Sequence, residues 1–213
     1  MNNVFTYYQP LDIKHSGEQA EMIRHWKRSW AKQGWNPRVL GIEDARRHPL
    51  FNEFDARVRR LPTVNSVDYE VACYHRWLAV AAAGGGFMSD YDVVNYGFKP
   101  RATQADLTIY ESDYCCDSVT PSVVGGTAYG FLNACFCFSV CEPESITSEF
   151  GDRKHTSDMI VMQMMADRGV FIIAPTVKQY GQADWDSAEL VHYCHSTTHN
   201  TDRVQCMKTA RPI

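Results

Sequence analysis

Long apolar runs are missing from this 213-residue chain. No stretch approaches the ~20 consecutive apolar residues needed to cross a bilayer, so the sequence predicts no transmembrane segment. The opening "MNNVFTYYQP" lacks the basic start and apolar stretch of a secretory signal. Positive charge is also scarce. Lys and Arg number 21 against 25 Asp and Glu, for a formal net charge of −4. The basic residues are dispersed apart from pairs such as Arg46-Arg47 and Arg59-Arg60, which argues against a nucleic-acid partner. The eight cysteines contain no C-x-x-C pair. They read as reduced thiols of a cytoplasmic protein, with a zinc site at Cys135, Cys137 and Cys141 as the alternative. Repeats and low-complexity tracts are absent. What is present is 45% hydrophobic residues, enough for a single domain over residues 1–213, free-standing or part of a longer polypeptide.

Along the chain, "NVFTYY" reads as a buried strand ended by Pro10. Met22, Ile23, Trp26 and Trp30 recur at helical spacing, with Gly34 as the stop. "RVLGI" is a second strand; Leu50, Phe51, Phe54, Val58 and Leu61 mark a helix, and Val67, Val71, Tyr74 and Leu78 another. "GFMSDYDVV" and the strand candidate "DLTIY" follow. This alternation predicts an α/β fold with a mostly parallel, Rossmann-like central sheet flanked by helices. Farther on, "YGFLNACFCFSV" reads as a long inner strand, "SDMIVMQMMADRG" as a buried helix, and "VFIIAP" and "ELVHYCH" as strands. The residues from about Thr197 read as a surface tail.

The segment "AAAGGGFMSDYDVVNYG" places Asp90 and Asp92 two positions apart where an apolar strand ends. On an extended backbone they point to one side. Paired hard oxygen ligands suit Mn²⁺ or Mg²⁺, and the preceding glycines let a bulky ligand approach. A solvated loop with two uninvolved carboxylates is the bland alternative.

Arg76-Trp77-Leu78, then glycines, an aromatic residue and Asp90-Tyr91-Asp92, resemble the D-x-D signature of GT-A glycosyltransferases. The likeness extends to the initiating-mannosyltransferase and glucosylating-toxin families. "LVHYCHS" is similar to the C-terminal histidine element of glycogenin-like and lipopolysaccharide galactosyltransferases, although His195 replaces that element's glycine and its Lys-Pro-Trp is missing. The chain also resembles algal-virus-encoded glycosyltransferase domains that decorate capsid protein.

The resemblance implies a metal held by Asp92 and Asp90 with His192, ranked above His195, and an Arg76 that faces the donor. It implies a UDP-sugar donor contacted by Thr6, Tyr7, Tyr8, Tyr91 and Asn133, a glycan or glycoprotein acceptor, and a retaining reaction. Asp158 matches an Asp-Gln element, though an aspartate at a helix start is more often a cap. In an inverting enzyme Asp158 or Glu111 would be the base. Two rivals remain. "DYDVV" also fits the haloacid-dehalogenase phosphatase motif, with Gly151, Asp152 and Asp158 as a loose second element. A non-catalytic nucleotide-sugar or carbohydrate-binding module is the other.

Overall fold

A computed structural model describes residues 2–11, 16–102, 105–111, 119–141, 148–150, 153–198 and 202–213. The first half follows the sequence pattern. Strand β1 (Asn3–Tyr7) leads to helix α1 (Ser16–Lys32), then β2 (Asn36–Leu40). Gly34, at φ +88°, ends the first helical excursion in a left-handed conformation that glycine adopts without strain. Short α2 (Ile42–Arg46) and α3 (Phe51–Val58) precede α4 (Val67–Ala82), whose N-cap Ser66 side chain accepts from the Tyr69 N–H. Strand β3 (Gly85–Ser89) runs up to the aspartates and β4 (Val93–Asn95) leaves them.

The second half departs from expectation in two places. After β5 (Leu107–Ile109), strand β6 (Val123–Thr127) runs into helix α5 (Ala128–Val140). The segment "YGFLNACFCFSV" is therefore a helix and not an inner strand. Thr127 caps it by accepting from the Gly130 N–H, and its uncharged run packs against α4. Strands β7 (Ser148–Phe150) and β8 (Arg153–His155) form a hairpin ahead of α6 (Asp158–Asp167). Then come β9 (Ile172–Ile173), β10 (Val177–Gln179), β11 (Leu190–His192), α7 (His195–Thr198) and α8 (Arg203–Thr209). The predicted surface tail is thus partly helical, and α8 buries Val204 and Met207 and packs on α1.

The main sheet has the order β2-β1-β3-β6-β5-β9. Its first three strands are parallel, β6 is antiparallel to both β3 and β5, and β9 is parallel to β5. The sheet is mixed, so the mostly parallel reading describes only one half of it. Both faces are covered. Val4, Phe87 and Val123 point into a core with Trp26, Trp30 and Trp35, while the adjacent Phe5, Met88 and Val124 join Trp77, Phe131 and Phe138 opposite. Double-sided burial explains why these strands read as continuous apolar runs.

A second sheet, β10-β11-β4, hangs from the end of β3. Three indole N–H groups secure that junction. Trp26 donates to Ser89 Oγ (3.2 Å), Trp30 to the Val93 carbonyl (3.1 Å) and Trp35 to the Phe98 carbonyl (2.8 Å). The tryptophans of α1 and its exit therefore fix the backbone on both sides of the aspartates. No helix is long and apolar enough to cross a membrane among the described residues.

Candidate metal and donor site

Asp90 and Asp92 sit on a tight turn and not on an extended strand. The Val93 N–H donates to the Asp90 carbonyl (3.1 Å), while the Asp90 N–H donates to Ser122 O (2.7 Å). The antiparallel pairing of β4 with β11 places His192 opposite Val93, and the Tyr193 N–H donates to Asp92 O (2.9 Å). One potential ligand atom each from Asp90, Asp92 and His192 lies within 4.8 Å of the others. Among the described residues this is the one such group of three or more. The zinc alternative finds no support there: Cys135 and Cys137 lie two positions apart on α5 and so project to different sides of the helix.

The imidazole is held from behind. His192 Nδ1 lies 2.9 and 3.1 Å from the two oxygens of Glu111, and Nε2 lies 3.4 Å from Asp92 Oδ1. Glu111 is fully buried and also accepts from Gln179 Nε2 (2.9 Å) and from the Ser122 hydroxyl. Burial opposes a charge on His192, but the Glu111 and Asp92 carboxylates outweigh it and raise its pKa above the ordinary histidine value. A carboxylate behind one ring nitrogen with the other nitrogen facing the site is the arrangement found around metal-binding histidines. Two carboxylate oxygens and an imidazole nitrogen, so oriented, fit a divalent cation.

Two guanidinium groups complete the electrostatics. Arg76 Nη1 meets Asp90 Oδ1 at 2.5 Å, and its Nη2 and Nε meet Asp158 Oδ2 at 2.6 and 3.1 Å. The Trp77 indole N–H donates to the same oxygen (3.0 Å). Arg203, from α8, lies 3.1 Å from Asp92 Oδ2. Burial and the neighbouring Asp92 hold Asp90 above the usual carboxylate range in spite of Arg76. Burial pushes Asp92 the same way, but His192 and Arg203 together outweigh it and leave its pKa low.

The cluster borders a cleft of about 1370 Å³ whose walls include Tyr7, Tyr8, Tyr69, Arg76, Asp90, Tyr91, Asp92, His195 and Arg203. Tyr7, Tyr8 and Tyr91 thus face the same space, with Tyr8 and Tyr91 edge to face at 6.3 Å. Thr6 is instead buried, and its hydroxyl has no partner among the described residues. Asn133 lies on α5 and lines a separate groove with Leu132 and Phe136, so the fold does not bring it to the cleft. His195 opens α7 and lines the cleft outside the three-ligand group.

Asp158 and Glu111 are not among the residues that line the cleft; each is buried and hydrogen-bonded to partners of its own. Asp92, Asp90 and Arg76 were legible as a motif. The roles of Glu111 behind His192 and of Arg203 were not, because neither carries a local sequence signal. The phosphatase alternative loses its topological premise, since the aspartates follow the third strand and not the first. Its Gly151 and Asp152 lie outside the described residues.

Residues 1–105, slightly under half of the chain, match the family described as "Domain of unknown function (DUF8765)". No curated protein matches the sequence. Among solved structures the chain is similar to the "crystal structure of a glycosyltransferase involved in the glycosylation of the major capsid of PBCV-1". The two are 9% identical, with a TM-score of 0.58 over 96% of this chain and 98% of that one. At that identity the likeness is one of fold: this chain shares its mixed α/β architecture with that glycosyltransferase.

Proposed function

We propose that the chain is a single-domain, metal-dependent GT-A-type glycosyltransferase that moves a sugar from a UDP-sugar to a glycan or glycoprotein acceptor. The observation that carries this reading is the convergence of Asp90 and Asp92 with His192, a hundred positions away, at the edge of a large cleft. The structural neighbour supports it, being a glycosyltransferase of the same fold along nearly its whole length.

Substitution at an anomeric carbon leaves a nucleoside diphosphate, so the site must stabilise negative charge on the departing oxygens. A divalent cation at Asp90, Asp92 and His192 would supply Lewis-acid stabilisation of that group. The chain itself contributes Arg76, fixed by Asp158, as a preorganised cation beside Asp90. Tyr7, Tyr8 and Tyr91 offer aromatic faces and hydroxyls for a nucleoside or sugar ring. The retaining outcome rests on the motif resemblance.

The reading is tested by thermal unfolding with UDP, with and without Mn²⁺. UDP should raise the melting temperature strongly only with the metal, because a ligand specific to the native state stabilises it. Asp92→Asn should abolish the metal dependence. Equal stabilisation by UDP after exhaustive chelation would defeat the proposal.

A further inference from the structure

The two aspartates of the cluster are held by arginines of unlike standing. Arg76 spans Asp90 and Asp158 and also has the Trp77 indole beside its second partner, so it stays anchored whatever happens at Asp90. Arg203 has a single ion-pair partner among the described residues, Asp92 Oδ2 at 3.1 Å. Its side chain, 20% exposed, lines the cleft. The backbone beneath it is secured, since Val204 and Met207 are buried and Lys208 pairs with Glu21 of α1. Arg203 is therefore a guanidinium on a fixed base, held at its head by one carboxylate oxygen.

Asp92 uses its other oxygen, Oδ1, toward His192. A divalent cation entering between Asp90, Asp92 and His192 meets Arg203 already neutralising one of its ligands. Two cations crowded on one buried carboxylate repel each other, and screening there is weak. A diphosphate in the cleft reverses the balance. It offers the displaced guanidinium an anionic partner with oxygens spaced for a forked contact.

On the reading of the site given above, we propose that Arg203 is an internal counter-ion of Asp92 that couples cation binding to nucleoside-diphosphate binding. It opposes the cation alone and favours the cation and diphosphate together. Coupling of this kind is reciprocal: the factor by which UDP tightens Mn²⁺ equals the factor by which Mn²⁺ tightens UDP.

The test measures Mn²⁺ affinity of the full chain by the electron-paramagnetic-resonance signal of free Mn²⁺, alone, with saturating UDP and with uridine. Arg203→Gln should bind Mn²⁺ alone about fivefold more tightly than wild type, and the UDP enhancement should shrink about fivefold or more. Uridine, lacking phosphate, should change Mn²⁺ affinity in neither protein. Arg203→Lys, charged but without the fork, should fall between.

An unchanged UDP enhancement in Arg203→Gln overturns the proposal and leaves Arg203 as a structural brace, even if stability falls. Weaker Mn²⁺ binding by the variant alone overturns it as well. If wild type binds Mn²⁺ neither alone nor with UDP, the metal reading itself fails and takes the coupling with it. Should Arg203→Gln not fold, the same criteria applied to Arg203→Lys decide.

Discussion

Glu111 has no solvent exposure, yet its two oxygens serve His192, Gln179 and Ser122. Its charge selects the histidine tautomer: with hydrogen on Nδ1, the Nε2 lone pair faces Asp90 and Asp92. Glu111→Gln keeps the shape but offers an amide N–H where the carboxylate accepted. The imidazole can then place its hydrogen on Nε2, which removes the lone pair from the site. Mn²⁺ affinity should fall about 10- to 100-fold, the usual loss when the group behind a metal-binding histidine is changed. A Glu111→Gln protein that binds Mn²⁺ like wild type would reduce Glu111 to packing. By the same geometry His192→Ala should weaken Mn²⁺ more than His195→Ala, since His195 stands outside the three-ligand group. The reverse order in the same titration would move the ligand three residues along. Asp158 differs in kind. Asp158→Ala removes the partner of Arg76 Nη2 and Nε and of the Trp77 N–H, and with Asp90 still paired to Nη1 the loss should be about 3 kcal/mol, the lower end for a broken buried pair. Urea unfolding measures that loss directly.

Among the elements, α5 is where packing fixes the tightest requirement. Gly130, in its first turn, lies so close to the neighbouring chain that a Cβ would sit 1.8 Å from the Asp106 carbonyl oxygen. That atom is backbone beside β5 and cannot rotate away. Gly130→Ala should destabilise by about 3 kcal/mol or more through overpacking, whereas Gly17→Ala, with nothing within 4 Å, should be neutral or slightly stabilising. A fully stable Gly130→Ala in urea unfolding would mean that α5 does not approach Asp106 this closely.

The same helix shows what was legible in the sequence. Helices α1 and α4 and strands β1 to β3 announced themselves because apolar residues recur at one period and a polar cap or a glycine closes them. In α5 the apolar residues surround the helix, so no period survives and the run of Phe, Cys and Val imitates a buried strand. Its length and the capping Thr127 were the usable signals. Strand β6 hid behind its paired glycines. Helix α8 hid because it buries only Val204 and Met207 within seven residues. The D-x-D turn was readable because its chemistry is local. The contributions of Glu111 and Arg203 depend on how β4 meets β11 and on where α8 docks, and neither is written in a short stretch of chain.

For the whole molecule, buried neutral histidines tie stability to pH. His75 is 1% exposed, between Phe51 and Phe54, with Arg59 and Arg46 nearby. Asp55 Oδ1 lies 2.9 Å from its Nε2, but neither ring nitrogen has an aligned hydrogen-bond partner among the described residues. Burial dominates and, despite Asp55, lowers its pKa below the ordinary value near 6.5. His25, buried and close to Arg28 and Lys208, is lowered for the same first reason. As pH falls through 6.5 the unfolded chain takes up protons at these positions while the folded chain does not. The unfolded state then binds more protons, so stability rises with pH in this window and is lost on acidification. His192 acts in the opposite sense in the cation-free protein. Its raised pKa gives stability that is fully present below 6.5 and lost only as pH climbs toward the folded value. The wild-type curve mixes both, and a difference between proteins separates them. His75→Gln, which cannot protonate, should lose less melting temperature than wild type between pH 7 and pH 5, whatever its stability at pH 7. Parallel curves for the two proteins across that interval would show that His75 is protonated as readily in the folded chain as in the unfolded one, and that its burial is shallower than the packing of Phe51 and Phe54 requires.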